Sequence, residues 1–255
     1  MRTPRLLPDI VALTPSRYED YMRCPRLYYC NALLGMPASD LVRSADQGLV
    51  VHDILKHIHS LGSCADDAHV TDVLAAHALD TPAVRDQIAR HAQRCPARAS
   101  SGAAHEWELA RFHRMPKPMF MVNARIDAIW VHDGLLDARD YKTGGRYADR
   151  VADIPAARVQ AFALAGAARE RGLQVRLRYE YLQPEVDDDP DPWEPDDDDL
   201  AAVEEELRDA VERMWSETDW RGIGEVDVCS HCRYRSICRD SAAPSEPAWP
   251  ALADQ

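Results

Sequence analysis

The sequence predicts an α/β chain built around a small mixed sheet, and three observations carry that prediction. Residues 14–94 show helical spacing and helix punctuation. Residues 103–183 supply runs rich in β-branched and aromatic residues, two of them joined by Asp133-Gly134. Helical patterns also fall inside and after that region, so helices flank the strands along the chain.

Taken in order, Thr14-Pro15 is a helix start, with Thr as N-cap and Pro at the first helical position. The helix TPSRYEDYMRCPRLYYCNALLG should bend or break at Cys24-Pro25 and stop near Gly35. Its tyrosines 18, 21, 28 and 29 are expected to pack in a core or interface, with base stacking as the rarer use of such residues. GLVVHDILKHIHSL (48–61) is amphipathic, and residues 70–93 give helices broken at Thr81-Pro82. No strand is expected before residue 103. Glu106–His113 is then a strand, and a polar turn leads into a hairpin. A helix follows over 155–171, closed by Gly172, then a strand over 175–183 and a helix over 201–215.

The hairpin, Asn123–Gly144, is where chemistry concentrates. Asp133-Gly134 suits a two-residue type I′ turn, which needs positive φ at both positions. In that register His132 pairs with Leu135 and Asp127 lies across from Asp140. Facing strand residues hold their Cβ atoms about 4.5–5.5 Å apart, and like charges so placed destabilise a sheet. A cation between the carboxylates removes that cost. Alternation puts Lys142 on the face of Asp140. Two carboxylates and an ammonium on one face read as a divalent-metal site with a base or a water-positioning lysine beside it.

Composition narrows the class. No apolar run approaches the roughly 18–20 residues of a membrane span, and the proline-containing N-terminal stretch is not a signal peptide. A cytoplasmic, membrane-free protein is expected, where seven cysteines point to metal binding or catalysis before disulfides. The net charge of −13 owes nine acidic residues to Asp187–Asp199; the rest of the chain stands at −4, so charge does not exclude nucleic acid as a partner. That segment is expected to be a disordered, solvated loop, the sharper alternative being a DNA-mimicking gate with Trp193 as anchor.

CSHCRYRSIC holds Cys229, Cys232 and Cys238, three thiolates spaced for a soft-metal or iron–sulfur site that lacks one ligand. Cys24 is the natural fourth, with Cys30, Cys64 and Cys95 as competitors otherwise read as ordinary buried cysteines. Spacing alone does not separate zinc from iron–sulfur.

From about residue 13 to 239 the chain resembles the RecB-type branch of the PD-(D/E)xK nucleases, in its iron–sulfur subclass close to AddB-like and CRISPR-adaptation exonucleases. LTPSRYEDYMRCPRLYY resembles the segment carrying the first cluster cysteine, GLVVH the histidine motif, ARIDAIW and DYKTG the two metal motifs, and CSHCRYRSIC the terminal trio. The resemblance implies a restriction-endonuclease-like core within a single domain over 1–239, followed by a tail over 240–255. Its parts would be a helical region (14–94), a catalytic sheet (103–183), an acidic loop (184–199) and a helix with the cysteine cluster (200–239). It implies Mg²⁺ or Mn²⁺ held by His52, Asp127, Asp140 and the Tyr141 main-chain carbonyl, and Lys142 positioning or deprotonating the attacking water. It further implies a [4Fe-4S] cluster on Cys24, Cys229, Cys232 and Cys238. An upstream acid often completes such a site, and Glu106 or Glu108 fits, with Glu108 preferred. The family's Q-x-x-x-Y motif is incomplete: Gln160 is present, position 164 is Leu, and Tyr147 is the nearest substitute. Arg125, Arg139 and Arg146 are candidates to hold flanking phosphates. The expected activity is metal-dependent DNA hydrolysis, exonucleolytic or end-processing, alone or with a separate helicase, CRISPR-adaptation or defence partner. The competing expectation is an idle module that binds DNA ends or a partner.

Overall fold

Thr14 caps the first helix as predicted, its hydroxyl accepting the Arg17 N–H at 3.3 Å, and Pro15 fills the first helical position of α1 (Pro15–Arg23). The computed structural model describes residues 10–37, 43–61, 63–95, 103–113, 118–146, 148–183, 185–186 and 188–243. Pro25 breaks the helix: Cys24 is extended, and α2 (Pro25–Tyr28) restarts behind it and continues as a π-helical turn over Tyr29–Leu33. Gly35 ends the run at a positive φ of 57°. Then come α3 (Arg43–Leu61), α4 (Asp67–Ala76) and α5 (Pro82–Arg94), the last capped by Thr81.

The strands are β1 (Ile10–Leu13), β2 (Ala103–His113), β3 (Met119–His132), β4 (Leu135–Lys142) and β5 (Gln174–Tyr181). β1 is a correction to the sequence reading, which placed no strand before residue 103. IVAL is too short for alternation to stand out and borrows its strand character from pairing with β3.

β3 organises the sheet. β2 lies antiparallel along one edge of it, pairing from His113↔Phe120 to Ala103↔Trp130. Both other neighbours share the opposite edge: β1 runs parallel to Met119–Val122, and β4 antiparallel to Ala128–His132. Between them, residues 123–127 of β3 have no strand on that side among the described residues, and the sheet forks. β5 pairs parallel with β4 after the crossover helix α6 (Pro155–Arg169). The result is a five-stranded mixed sheet flanked by helices, the α/β class that the sequence predicts.

Helices cover the sheet in two groups. Val51, Ile54, Leu55 and Ile58 of α3 pack with α4 and α5 onto Trp130 and Tyr141. Elsewhere α6 lies on Ala138, Leu177 and Tyr179, and α7 (Asp197–Ser216) packs through Leu207 and Val211 with Tyr18, Tyr21 and Tyr28. Those tyrosines are core residues, as expected; Tyr28 also packs on Trp220, with ring centroids 5.6 Å apart.

The acidic segment is not the solvated loop that its composition suggests. Over its described residues it straps the free edge of β5. Leu177 and Trp193 exchange backbone hydrogen bonds at 2.8 and 2.9 Å, and Asp189 accepts the Tyr181 N–H at 2.8 Å. Arg94 pairs with Asp189 and Arg176 with Glu194, both at 2.6 Å. The last four aspartates begin α7 earlier than predicted: Asp196 and Asp199 form a capping box, and Asp197–Asp199 sit in the first turn, where the helix dipole favours negative charge. Trp193 is partly buried and packs on its own chain's core.

Candidate active site

The hairpin turn takes the predicted form, with Asp133 and Gly134 at φ 47° and 76°. The predicted register holds from His132↔Leu135 to Ala128↔Arg139, where the ladder stops. One position further, Asp127 does not complete a pair with Asp140. Its carboxylate Oδ2 instead accepts the Tyr141 backbone N–H at 2.7 Å. The fork therefore opens at Asp127, and the side chain stands in for the missing ladder bond.

A cleft of about 820 Å³ occupies the fork. Asn123, Ala124, Arg125 and Asp127 of β3 line it, with Asp140 and Lys142 of β4 opposite. His52 reaches it from α3, Gln160 from α6, and Thr14, Ser16 and Glu19 from the start of α1. His52 Nδ1 lies 3.1 Å from Asp127 Oδ1. Lys142 Nζ lies 2.5 Å from Asp140 Oδ2 and 4.3 Å from the centre of the Tyr179 ring. Gln160 Nε2 donates to Asp140 Oδ1 at 2.6 Å, and Gln160 Oε1 accepts the Tyr179 hydroxyl at 2.8 Å. His52–Asp127 and Lys142–Asp140–Gln160 are thus two bonded groups, joined into one array through the Tyr141 backbone, whose N–H Asp127 accepts.

Its electrostatics follow from two acids crowded into a partly buried space. Burial and the neighbouring Asp140 push the Asp127 carboxyl up, against the pull of His52 and the Tyr141 N–H. For His52, burial lowers the pKa, but the bond to Asp127 and the charges of Asp127 and Asp140 outweigh it, and the net shift is upward. Lys142 likewise loses hydration, yet Asp140 and Asp127 hold its pKa above the usual lysine range. The free protein therefore keeps an ammonium beside Asp140.

A profile of the PD-(D/E)XK nuclease superfamily matches residues 12–239, which takes in the whole fork and every residue of the array. The chain belongs to the PD-(D/E)XK nuclease superfamily. No curated protein matches it. Among solved structures it is similar to the crystal structure of SSO0001, at 15% identity over 91% of this chain and 87% of that one, with a TM-score of 0.40. Membership makes phosphodiester hydrolysis the coarse activity of this PD-(D/E)XK chain, and divalent metal ions the usual requirement of such enzymes.

The remaining expected site residues divide. Glu108 stands across from Arg125, and the register from His105↔Ala128 to Trp107↔Ile126 brings position 106 level with Asp127. The side chains of Glu106 and Glu108, and all of Tyr147, lie outside the described residues. Leu164 is fully buried and takes no part. Of the three arginines expected to hold phosphate, only Arg125 lines the cleft. Arg139 is structural, bonding the Arg94 carbonyl at 3.0 Å and Glu180 at 3.2 Å. Arg146 is tied to the Ala148 and Asp188 carbonyls and to Asp149. Glu19 and Tyr179 were missed by sequence reasoning. A helix-surface glutamate and a strand tyrosine carry no local signal of a site.

The cysteines separate into two places. Cys24, Cys229, Cys232 and Cys238 line one small cavity of about 20 Å³, where the segment after α7 folds back on α1 and α2. Cys30 is buried beside it, its thiol pushed up by burial, while Arg26 pulls the other way. Tyr234 secures the junction through its hydroxyl, donated to the Met36 carbonyl at 2.8 Å, and Arg233 reaches Asp20 at 3.5 Å. Asp240, at the start of the C-terminal tail, accepts the Gly222 N–H at 2.8 Å. Cys64 and Cys95 are buried, as expected, and lie elsewhere, grouped with two histidines. Among the described residues, no helix is long and apolar enough to cross a membrane.

Proposed function

We propose that this chain is a DNA nuclease of the RecB-like branch that hydrolyses phosphodiester bonds with Mg²⁺ or Mn²⁺, as an exonuclease or end-processing enzyme. The observation that carries it is the convergence of His52, Asp127, Asp140, Lys142 and Gln160, from four elements of the chain, on one open cleft.

The donor set suits a hard divalent ion. Asp127 and Asp140 each use one hydrogen bond or ion pair per oxygen, so every carboxylate oxygen keeps a second acceptor site. Together with an imidazole and the Tyr141 main-chain carbonyl they make the oxygen-rich set such ions take. When bound, the ion supplies an activated water and offsets charge on the scissile phosphate. Lys142, held as an ammonium, orients the water or a non-bridging oxygen rather than taking a proton. Gln160, fixed by Tyr179, holds Asp140 in one rotamer. Arg125 and the N-terminal end of α1, both at the cleft, favour the phosphates of a strand lying in the fork.

Cys24, Cys229, Cys232 and Cys238 are proposed to hold a [4Fe-4S] cluster. Four cysteines lining one small cavity, where the two ends of the fold meet, support that reading, with zinc as the alternative. The cluster's part is structural: it fastens the terminal segment to α1, which carries one wall of the cleft. A cytoplasmic setting and a helicase, CRISPR-adaptation or other defence partner complete the proposal.

Cleavage of end-labelled single- and double-stranded DNA, with and without Mg²⁺ or Mn²⁺, by wild type and Lys142→Ala tests it. Metal-dependent products from wild type, reduced at least about 100-fold in the variant, are expected. Wild type that binds DNA but never cleaves it would instead mark an idle end-binding module. Absorbance of the purified protein near roughly 400 nm distinguishes iron–sulfur from zinc.

A further inference from the structure

Cys64 and Cys95 group with two histidines at a place that the nuclease cleft does not include. His59 stands in the last turn of α3, Cys64 in the loop after it, His91 near the end of α5, and Cys95 at its C-cap. Their donor atoms all lie within 4.8 Å of one another. His59 Nε2 is 2.8 Å from His91 Nε2 and 3.8 Å from Cys95 Sγ. Cys64, His91 and Cys95 are buried, and His59 is half-buried. We propose that His59, Cys64, His91 and Cys95 form a structural zinc site that locks the three-helix layer onto the back of the sheet.

Three observations beyond proximity support it. The first is donor chemistry and spacing. Two sulfurs and two imidazole nitrogens form the borderline-soft, tetrahedral set that zinc prefers, and H-x4-C with H-x3-C resembles the short paired spacings of structural zinc sites. Donors at ordinary Zn–N and Zn–S distances lie roughly 3.3–3.8 Å apart on a tetrahedron. The observed 2.8 and 3.8 Å need only a small outward step of the two imidazoles.

The second is the outer layer. His91 turns its other nitrogen, Nδ1, to Glu180 Oε1 at 2.8 Å, and Arg139 holds Glu180 Oε2 at 3.2 Å. A carboxylate on the far nitrogen of a ligating histidine fixes its tautomer and raises its basicity toward a metal. Glu180 is almost completely buried, a costly position for a charge that serves only helix packing.

The third is what the site would be without a cation. Two imidazole nitrogens 2.8 Å apart share one proton between them when no metal is bound. A divalent ion takes the place of that proton, accepting both lone pairs and binding the two sulfurs as thiolates. All four positions are filled by protein, and no acid lies among the donors, so the site is closed and structural rather than catalytic.

The placement has a consequence for the cleft. Tyr141, whose backbone lies between Asp140 and Lys142, sets its ring edge-on to His91 at 5.0 Å and to His52 at 6.0 Å. The site thus holds α3, and His52 with it, against the strand that bears the second acid.

Metal analysis and cobalt substitution on the full-length chain test this without reference to nuclease activity. Wild type is expected to retain zinc, and Co²⁺ loaded after zinc removal should give the intense visible bands of a tetrahedral thiolate site. Cys64→Ser and Cys95→Ser should each abolish those bands or shift them, and weaken zinc retention by at least about 100-fold. Thiol alkylation of wild type followed by mass spectrometry keeps the result decisive even for variants that precipitate: zinc should shield Cys64 and Cys95, and chelation should expose them. Wild type that takes up neither metal, a Cys64–Cys95 disulfide, or alkylation at these two cysteines that zinc leaves unchanged would overturn the proposal. The last would leave a proton-bridged His59–His91 pair as the account of the cluster.

Discussion

Tyr141 donates its backbone N–H to Asp127 Oδ2 at 2.7 Å, so an acid of the cleft completes the ladder at the point where β3 and β4 part. Asp127 is therefore both a structural acceptor and a buried charge pressed against Asp140. Asp127→Asn separates the two roles. The amide oxygen can still accept from Tyr141, and the amide nitrogen can donate to His52. In the absence of divalent ions, thermal unfolding should show a midpoint unchanged or raised, because a like-charge contact is gone. Cleavage should fall at least about 100-fold. A variant that cuts like wild type removes Asp127 from the site.

Tyr179→Phe tests the positioning of Asp140. The substitution deletes one hydroxyl, its bond to Gln160 Oε1, and nothing of the aromatic face beneath Lys142. Gln160 then keeps its NH2 toward Asp140 but loses the anchor on its oxygen, so the donor that orients Asp140 is held less firmly. A loss of about 1 kcal/mol in that bond corresponds to several-fold. The expected signature is a higher Mg²⁺ concentration for half-maximal cleavage, with near-wild-type rate at saturating Mg²⁺. An equal fall at all concentrations would give Tyr179 a different part.

Glu19 lines the cleft from α1, and its charge reaches Lys142 and Tyr181. Glu19→Gln keeps the shape and removes a negative charge near the acids. Weaker apparent Mg²⁺ affinity, by about 3- to 10-fold, is expected, with DNA binding in the absence of metal equal or tighter. Titrations of cleavage against Mg²⁺, and of DNA binding in EDTA, read the two effects separately. Unchanged values in both would confine Glu19 to the wall.

The sequence carried the site further than it carried the fold. The hairpin register, the positive-φ turn and the helix caps are local signals, and each appears where read. Asp127, Asp140, Lys142, His52 and Gln160 reached one cleft because short motifs tie residue type to element. The fork itself was not legible, because it depends on β1 and β4 sharing one edge of β3, a pairing between segments more than 100 residues apart. The role of Cys64 and Cys95 was hidden for the same reason. Each has a histidine a few residues before it, but only α3 and α5 lying side by side make one group of the two pairs. Composition misled outright at the acidic segment, where a density of aspartates usually means solvation and here supplies edge hydrogen bonds, ion pairs and a helix cap.

That segment gives the last prediction. Asp189 accepts the Tyr181 N–H at 2.8 Å and the Arg94 guanidinium at 2.6 Å, closing the end of β5 that the strap would otherwise leave open. Asp189→Ala leaves that N–H and Arg94 without the acid. Partial exposure of the pair lowers the cost, so about 1–2 kcal/mol of destabilisation is expected, as a lower urea midpoint at unchanged slope. Asp198→Ala supplies the control: it sits in the first turn of α7 but neither caps the helix nor bonds β5, and it should cost only a few tenths of a kcal/mol through the helix dipole. If both substitutions cost the same, the acidic run acts through its overall charge, and the strap contributes nothing specific at Asp189. A clear gap between them places the effect in one carboxylate and the two donors it satisfies.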